Sequence, residues 1–220
     1  PTPLRRPKIL SFFTFLHVFP YGRPAEALPF HPLMPVPEHL DALVRRHAAQ
    51  AVQDRPAAVS TSSASLIVLD TNVVLDLLYW HDGGAAAIDS ALAEGRVRAA
   101  LSTAAALELS EVISRPAFAR ADFSPAEIEK RLDAWFSHCT WIDEAAVLKA
   151  RERAQSANLR CLDPLDQKFF ELTLAAQARM LVTKDKLVLK AGKKMRRLFG
   201  IAALRPSEAG ALLSTPSPLS

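Results

Sequence analysis

Residues 66–78 read LIVLDTNVVLDLL, and this stretch decides the fold. Four apolar residues, Leu66 to Leu69, run straight into Asp70. An unbroken apolar run of this kind suits a strand buried on both faces, as in a parallel sheet covered by helices. After the polar step Thr71-Asn72, Val73, Val74, Leu77 and Leu78 recur at helical spacing, with Thr71 or Asn72 placed to cap the helix start. Asp70 therefore falls where strand gives way to helix. In open α/β sheets that carboxyl edge is where ligands bind. A carboxylate there, beside helix N-terminal amides, suits either a metal ion or a helix cap, and the two readings stand even.

Working outward, the alternation continues. Gly83-Gly84 breaks the chain, residues 85–94 read as a helix closed by Gly95, and residues 97–101 as a strand. Ser102-Thr103 caps a helix running to about residue 114. Ser124-Pro125-Ala126-Glu127 is a helix start with cap, N1 proline and acid at N3, leading to about residue 137. Strands follow at 140–142, 180–183 and 201–204, with helices at 143–156 and 163–178 between them. Strands alternating with helices imply a parallel sheet with right-handed crossovers. The fold class is α/β, and neither repeats nor a membrane span interrupt it.

The 220 residues are 50% hydrophobic, enough to bury the core of one α/β domain. A net charge of +4 and a pI near 9.3 tilt toward an anionic partner such as nucleic acid. Cys139 and Cys161 have neither metal-site spacing nor a secreted disulfide framework, so reduced thiols in a cytoplasmic protein are expected. The six histidines are scattered, which argues against a histidine metal site.

Residues 1–64 hold ten of the sixteen prolines, too many for regular core elements. They are expected to form a poorly ordered extension, followed by the domain at 65–214 and a disordered tail at 215–220. Arg5, Arg6 and Lys8 before the apolar run 9–19 mimic a secretory leader. That run is aromatic, flanked by proline and too short to span a bilayer, so the extension reading is preferred. Residues 39–52 could make one short helix, and the boundary is placed at the polar stretch 60–65. Residues 1–60 are then expected to be dispensable, and a chain starting near Ser63 to melt at an unchanged temperature.

Four acids fall at strand ends or in helices beside them: Asp70, Glu108, Asp166 and Asp185. Glu108 shares a helical stripe with Ala105 and Val112 and so points toward the apolar side, whereas Glu111 is expected to be solvated. With parallel strands, Asp70, Asp166 and Asp185 gather at one edge and Glu108 leans in. Clustered carboxylates raise one another's pKa values or recruit a cation. Mg²⁺ or Mn²⁺ suits hard oxygen ligands with substrate phosphate completing the shell. Each acid also has a plainer role: Asp163 with Pro164 is a good cap pair, Asp166 suits the helix dipole, and Asp185 a turn. Their joint placement favours the metal reading.

With these residues in hand, the chain resembles the PIN-domain ribonucleases, in the branch that contains toxins of toxin–antitoxin systems. The resemblance covers about residues 66–212. VLDTNVVLDLL is similar to the family's first motif, which makes Asp70 the first metal-binding acid and Asn72, or Thr71, its supporting neighbour. LELSEVISRPAF resembles the second motif, with its glutamate at Glu108. DPLDQKFFELTLAAQARMLVTKDKLVL resembles the third and fourth, with Asp166 the third acid, Asp163 an accessory, Asp185 the fourth and Thr183 before it. Lys186-Leu187 departs from the acid-leucine pair common there.

The resemblance implies a three-layer α/β/α sandwich around a parallel sheet, and metal-dependent cleavage of RNA. It also implies a small antitoxin that occludes the acidic pocket, and possible homodimers. The alternative is a catalytically quiet PIN-like module that grips RNA or protein. A phosphatase using Asp70 as nucleophile lacks the expected DxD. Finally, Lys184, Lys186, Lys190, Lys193, Lys194, Arg196 and Arg197 crowd around and after the fourth acid. Lys193, Lys194, Arg196 and Arg197 are expected to border the acidic edge and dock RNA phosphates.

Overall fold

The computed structural model describes residues 35–53, 64–118 and 123–214. Its centre is a five-stranded, wholly parallel sheet: β1 (Ser65–Leu69), β2 (Val97–Leu101), β3 (Thr140–Trp141), β4 (Met180–Val182) and β5 (Ala202–Leu204). The spatial order is β3-β2-β1-β4-β5. From β1 the chain winds outward through β2 and β3, then crosses back to lay β4 on the other flank of β1. The strand order thus reverses between β1 and β4, the crevice where open α/β sheets take ligands. Ile67, Val68, Leu181 and Val182 are fully buried there, as their apolar runs foretell.

Nine α-helices accompany the strands among the described residues. They are α1 (Glu38–Gln53), α2 (Thr71–Leu75), α3 (Ala86–Ala93), α4 (Thr103–Ile113), α5 (Pro125–His138), α6 (Glu144–Ser156), α7 (Gln167–Ala175), α8 (Lys186–Phe199) and α9 (Pro206–Ser214). α3 and α9 pack on each other and on the sheet, while α7 covers β1, β2 and β4 and is backed by α4 and α6. The architecture is the three-layer α/β/α sandwich expected. Ser102, Ser124 and Asp143 accept hydrogen bonds from amides at the starts of α4, α5 and α6, and Gly95 sits at φ 68° after α3. Gly192 has a different task. A Cβ there would lie 2.3 Å from that of Ala203, so only glycine lets α8 press on β5.

Four details differ from the sequence reading. α2 passes into a π-helical turn, Asp76–Trp80, anchored by the buried Tyr79 ring, which meets Phe118 and Phe123 edge-on. Residues 163–178 split into a 3₁₀ turn, Pro164–Asp166, and the shorter α7. Thr183 lies beyond β4 rather than in it. The fourth difference matters most.

α1 belongs to the packed body. Leu40, Leu43 and Val44 recur at helical spacing and bury to 1%, 4% and 0% exposure in the main core. The helix rests on α4, α5 and β3. His47 stacks on Trp141 with the rings 4° from parallel, and its Nε2 lies 2.7 Å from Asp133. Arg46 donates to the same carboxylate at 2.8 Å. α1 and the sheet accordingly fall in one compact unit that begins well before the boundary read at 60–65: an apolar stripe outweighs the proline-rich surroundings. The leader-like run at 9–19, the linker at 60–63 and the tail at 215–220 lie outside the described residues.

Candidate active site at the sheet's reversal point

Asp70 ends β1 and Asp185 follows β4, so neighbouring strands deliver both to one edge. The join is tight: the Asp70 amide donates to Val182 O at 2.9 Å. The Asp70 carboxylate is 3% exposed. Thr183 Oγ1 donates to Asp70 Oδ2 at 2.6 Å and accepts from the Asp185 amide at 3.0 Å. One hydroxyl therefore fixes two acids relative to each other. Thr71, the first residue of α2, donates to Glu108 Oε1 at 2.8 Å. Asn72 adjoins Asp70 through its backbone amide. The helix-capping role expected of Thr71 or Asn72 falls instead to the Asp70 backbone position, without a side-chain bond.

Burial pushes the Asp70 carboxyl up to about 6; the Thr183 hydroxyl pulls against this, and the charges of Glu108 and Asp185 add to the rise. Burial likewise raises Asp166 to about 7, with Asp70, Asp163 and Asp185 adding and Lys168 opposing. Asp70 thus senses Glu108 and Asp185, and Asp166 senses Asp70, Asp163 and Asp185, across one acidic edge. Two of these acids also serve the backbone. Asp185 Oδ1 caps α8, accepting from Leu187 at 2.6 Å and Val188 at 3.1 Å. Asp163 Oδ1 accepts from Leu165 at 2.9 Å, as its cap reading expected.

Glu108 and Glu111 part company as the stripe predicted, but Glu111 is not solvated. It is 6% exposed and held by Arg115 through both oxygens, at 3.0 and 2.8 Å, an ion pair within one turn of α4. Lys168 Nζ contacts Glu108 Oε2, so a cation stands inside the pocket. Lys184 binds the buried Asp76 at 2.6 and 2.7 Å, tying the loop that carries Asp185 to the π turn after α2. Sequence reading gave Lys168 no role and saw Lys184 only as part of the basic run, because their partners lie 60 and 108 positions away (168 − 108 and 184 − 76) and no short motif joins them.

The donor chemistry suits a divalent cation: hard carboxylate oxygens, two of them, on Asp70 and Asp166, raised chiefly by burial. Among the described residues, however, no three such groups stand close enough to hold an ion as placed. Glu108 is engaged at both oxygens, and Asp185 is turned to its cap.

The basic run occupies α8. Lys193, Arg196 and Arg197 are exposed, while Lys194 is half-buried and donates to Asn158 O at 2.6 Å. At 1.5 Å per residue they lie about 12–18 Å along the axis from Asp185. Lys186 and Lys190 stand nearer to Asp185 along the same helix. Both cysteines are buried, and burial raises their thiols, Cys161 to about 11, so neither is a nucleophile. Among the described residues no helix is long and apolar enough to cross a membrane.

A family model described as PIN domain matches residues 66–187, more than half of the chain. No curated protein and no solved structure matches.

Proposed function

The chain belongs to the PIN domain family, a nuclease-type fold, and from that premise we propose that it is a Mg²⁺- or Mn²⁺-dependent endoribonuclease. The observation that carries this is the coupling of Asp70 with Glu108, Asp166 and Asp185 at the strand-order reversal, two of them held near neutrality in pKa. A cluster of that kind costs folding stability and suits a cation. Asp70, Asp166 and Asp185 would hold the ion. Glu108 would complete the set or orient the attacking water, and Thr183 and Thr71 fix the carboxylates as outer-shell donors do. The ion supplies an acidified water and charge neutralisation at the phosphodiester.

The test is cleavage of RNA by Asp70→Asn and Asp185→Asn. Each is expected to lose Mg²⁺-dependent activity while remaining folded, and full activity in both would sink the assignment. The engagement of Glu108 by Lys168 and Thr71 favours a second reading, a quiet RNA- or protein-binding module. Mn²⁺ titration separates them, since no binding at millimolar metal supports the module. As a toxin, the chain would pair with a small antitoxin that covers the acidic pocket, and with RNA along α8. Co-purification with the product of an adjacent small reading frame tests that pairing.

A further inference from the structure

Lys168 sets a positive charge against the acids of the candidate site. It sits in the first turn of α7, two residues after Asp166, with only 19% of its side chain exposed. Three neighbours restrain it. Its Nζ meets Glu108 Oε2, donates to the Leu165 carbonyl, and lies 4.9 Å from the Phe169 ring centre. Lysine side chains carry large rotamer entropy, and a solvated one would not be pinned this way. Glu108 is held in turn between two donors, Lys168 on Oε2 and Thr71 on Oε1. A carboxylate has about four lone-pair sites, so each oxygen still has one to offer.

Resting on the nuclease reading, we infer that Lys168 is a positioning residue that orients Glu108 and, as a tethered cation, lowers the pocket's affinity for a divalent ion. It fixes the Glu108 carboxylate plane from the α7 side while Thr71 fixes it from α2. Its charge repels a second cation at the same acids, so orientation is gained at the expense of metal affinity. The two effects belong to different properties of the side chain. Orientation needs a donor of the right reach, whereas repulsion needs only the charge.

The experiment uses the full chain and its Lys168→Gln, Lys168→Arg and Lys168→Met variants, with Mn²⁺ binding measured by calorimetry and RNA cleavage at saturating Mn²⁺. Removing the charge in Lys168→Gln and Lys168→Met is expected to tighten Mn²⁺ binding about ten-fold, the effect of one charge facing a divalent ion roughly 6 Å away in a water-like dielectric. Both should show a lower kcat at saturating metal with KM for RNA unchanged. Lys168→Arg keeps the charge, so its Mn²⁺ affinity should match wild type while kcat recovers in part. A merely structural lysine would weaken both properties together. Unchanged or weaker Mn²⁺ binding in the two neutral variants, or an unchanged kcat, overturns the inference. Wild-type protein that binds no Mn²⁺ overturns the nuclease reading itself, which keeps the two failures distinct. Lys168→Met retains the stem over Phe169, so it reports even where Lys168→Gln does not fold.

Discussion

Leu40→Ala measures whether α1 is part of the folded body. Leu40 is 1% exposed and belongs to the main core with Leu43 and Val44. Truncating a buried leucine costs about 2–5 kcal/mol, through forfeited transfer energy and the cavity left behind. In a domain of this size each kcal/mol shifts Tm by about 2–4 °C. A fall of at least about 4 °C is therefore expected, against total stabilities of only about 5–15 kcal/mol. Val52, 67% exposed at the end of the same helix, is the control; Val52→Ala should stay within about 0.5 kcal/mol of wild type. Circular dichroism melts and urea titrations of the three proteins settle the matter. A chain starting at Ser63 lacks Leu40, Leu43 and Val44 together and should fall below Leu40→Ala. A Leu40→Ala protein melting within 1 °C of wild type (roughly 0.5 kcal/mol) would refute the packing and restore residues 1–60 as dispensable.

Other outcomes follow from the charges. Asp70 and Asp166 hold protons in the folded state up to about 6 and about 7, whereas their ordinary carboxyl values lie at 3.8. The folded state then binds more protons than the unfolded one across that window, so metal-free stability should fall as pH rises from about 4 to 7. Urea midpoints in EDTA check this, and the fall should shrink in Asp70→Asn; an equal slope in that variant contradicts it. Lys184→Met removes one ammonium from the buried Asp76. Because Lys184 is 44% exposed, the destabilisation should be about 1–3 kcal/mol rather than that of a fully buried pair, read as a lower urea midpoint, and Asp76→Asn added to it should restore part. Replacing Lys193, Lys194, Arg196 and Arg197 with Gln should flatten the salt dependence of RNA binding by up to about one log–log unit for each phosphate no longer neutralised, with Mn²⁺ affinity unchanged. An unaltered slope returns those residues to plain surface charge.

The parts of the molecule that were legible in the sequence are those written in short-range code. The Leu66–Leu69 run, the Ser124-Pro125 helix start and the Gly95 stop each carry their reason within a few residues, and each stands where it was read. The acids were legible because strand ends in a parallel sheet all face one edge, so topology alone brings Asp70 and Asp185 together. Ion pairing was not. Glu111 reads as a surface acid until Arg115 and the burial of α4 are known, and nothing local joins Lys168 to Glu108 or Lys184 to Asp76. α1 was obscured differently: its stripe is short, and the prolines around it dominated the reading. The basic run is legible as composition, and the helix then spreads it along α8 at about 1.5 Å per residue from Asp185.

The Thr183–Asp70 bond joins residues 113 positions apart. A ribosome adding about 5–20 residues per second needs roughly 6–20 s to travel between them. Throughout that interval β1 has emerged with Asp70, but β4, its neighbour at the crevice, does not yet exist. Asp166 and Asp185 come in the last third of the chain, and Thr183, which fixes the first acid against the last, arrives with them. The acidic edge is therefore completed only once four of the five strands exist, with β5 still to follow. Until Thr183 and Asp185 emerge, Asp70 and Glu108 stand without the residue that fixes the first acid against the last.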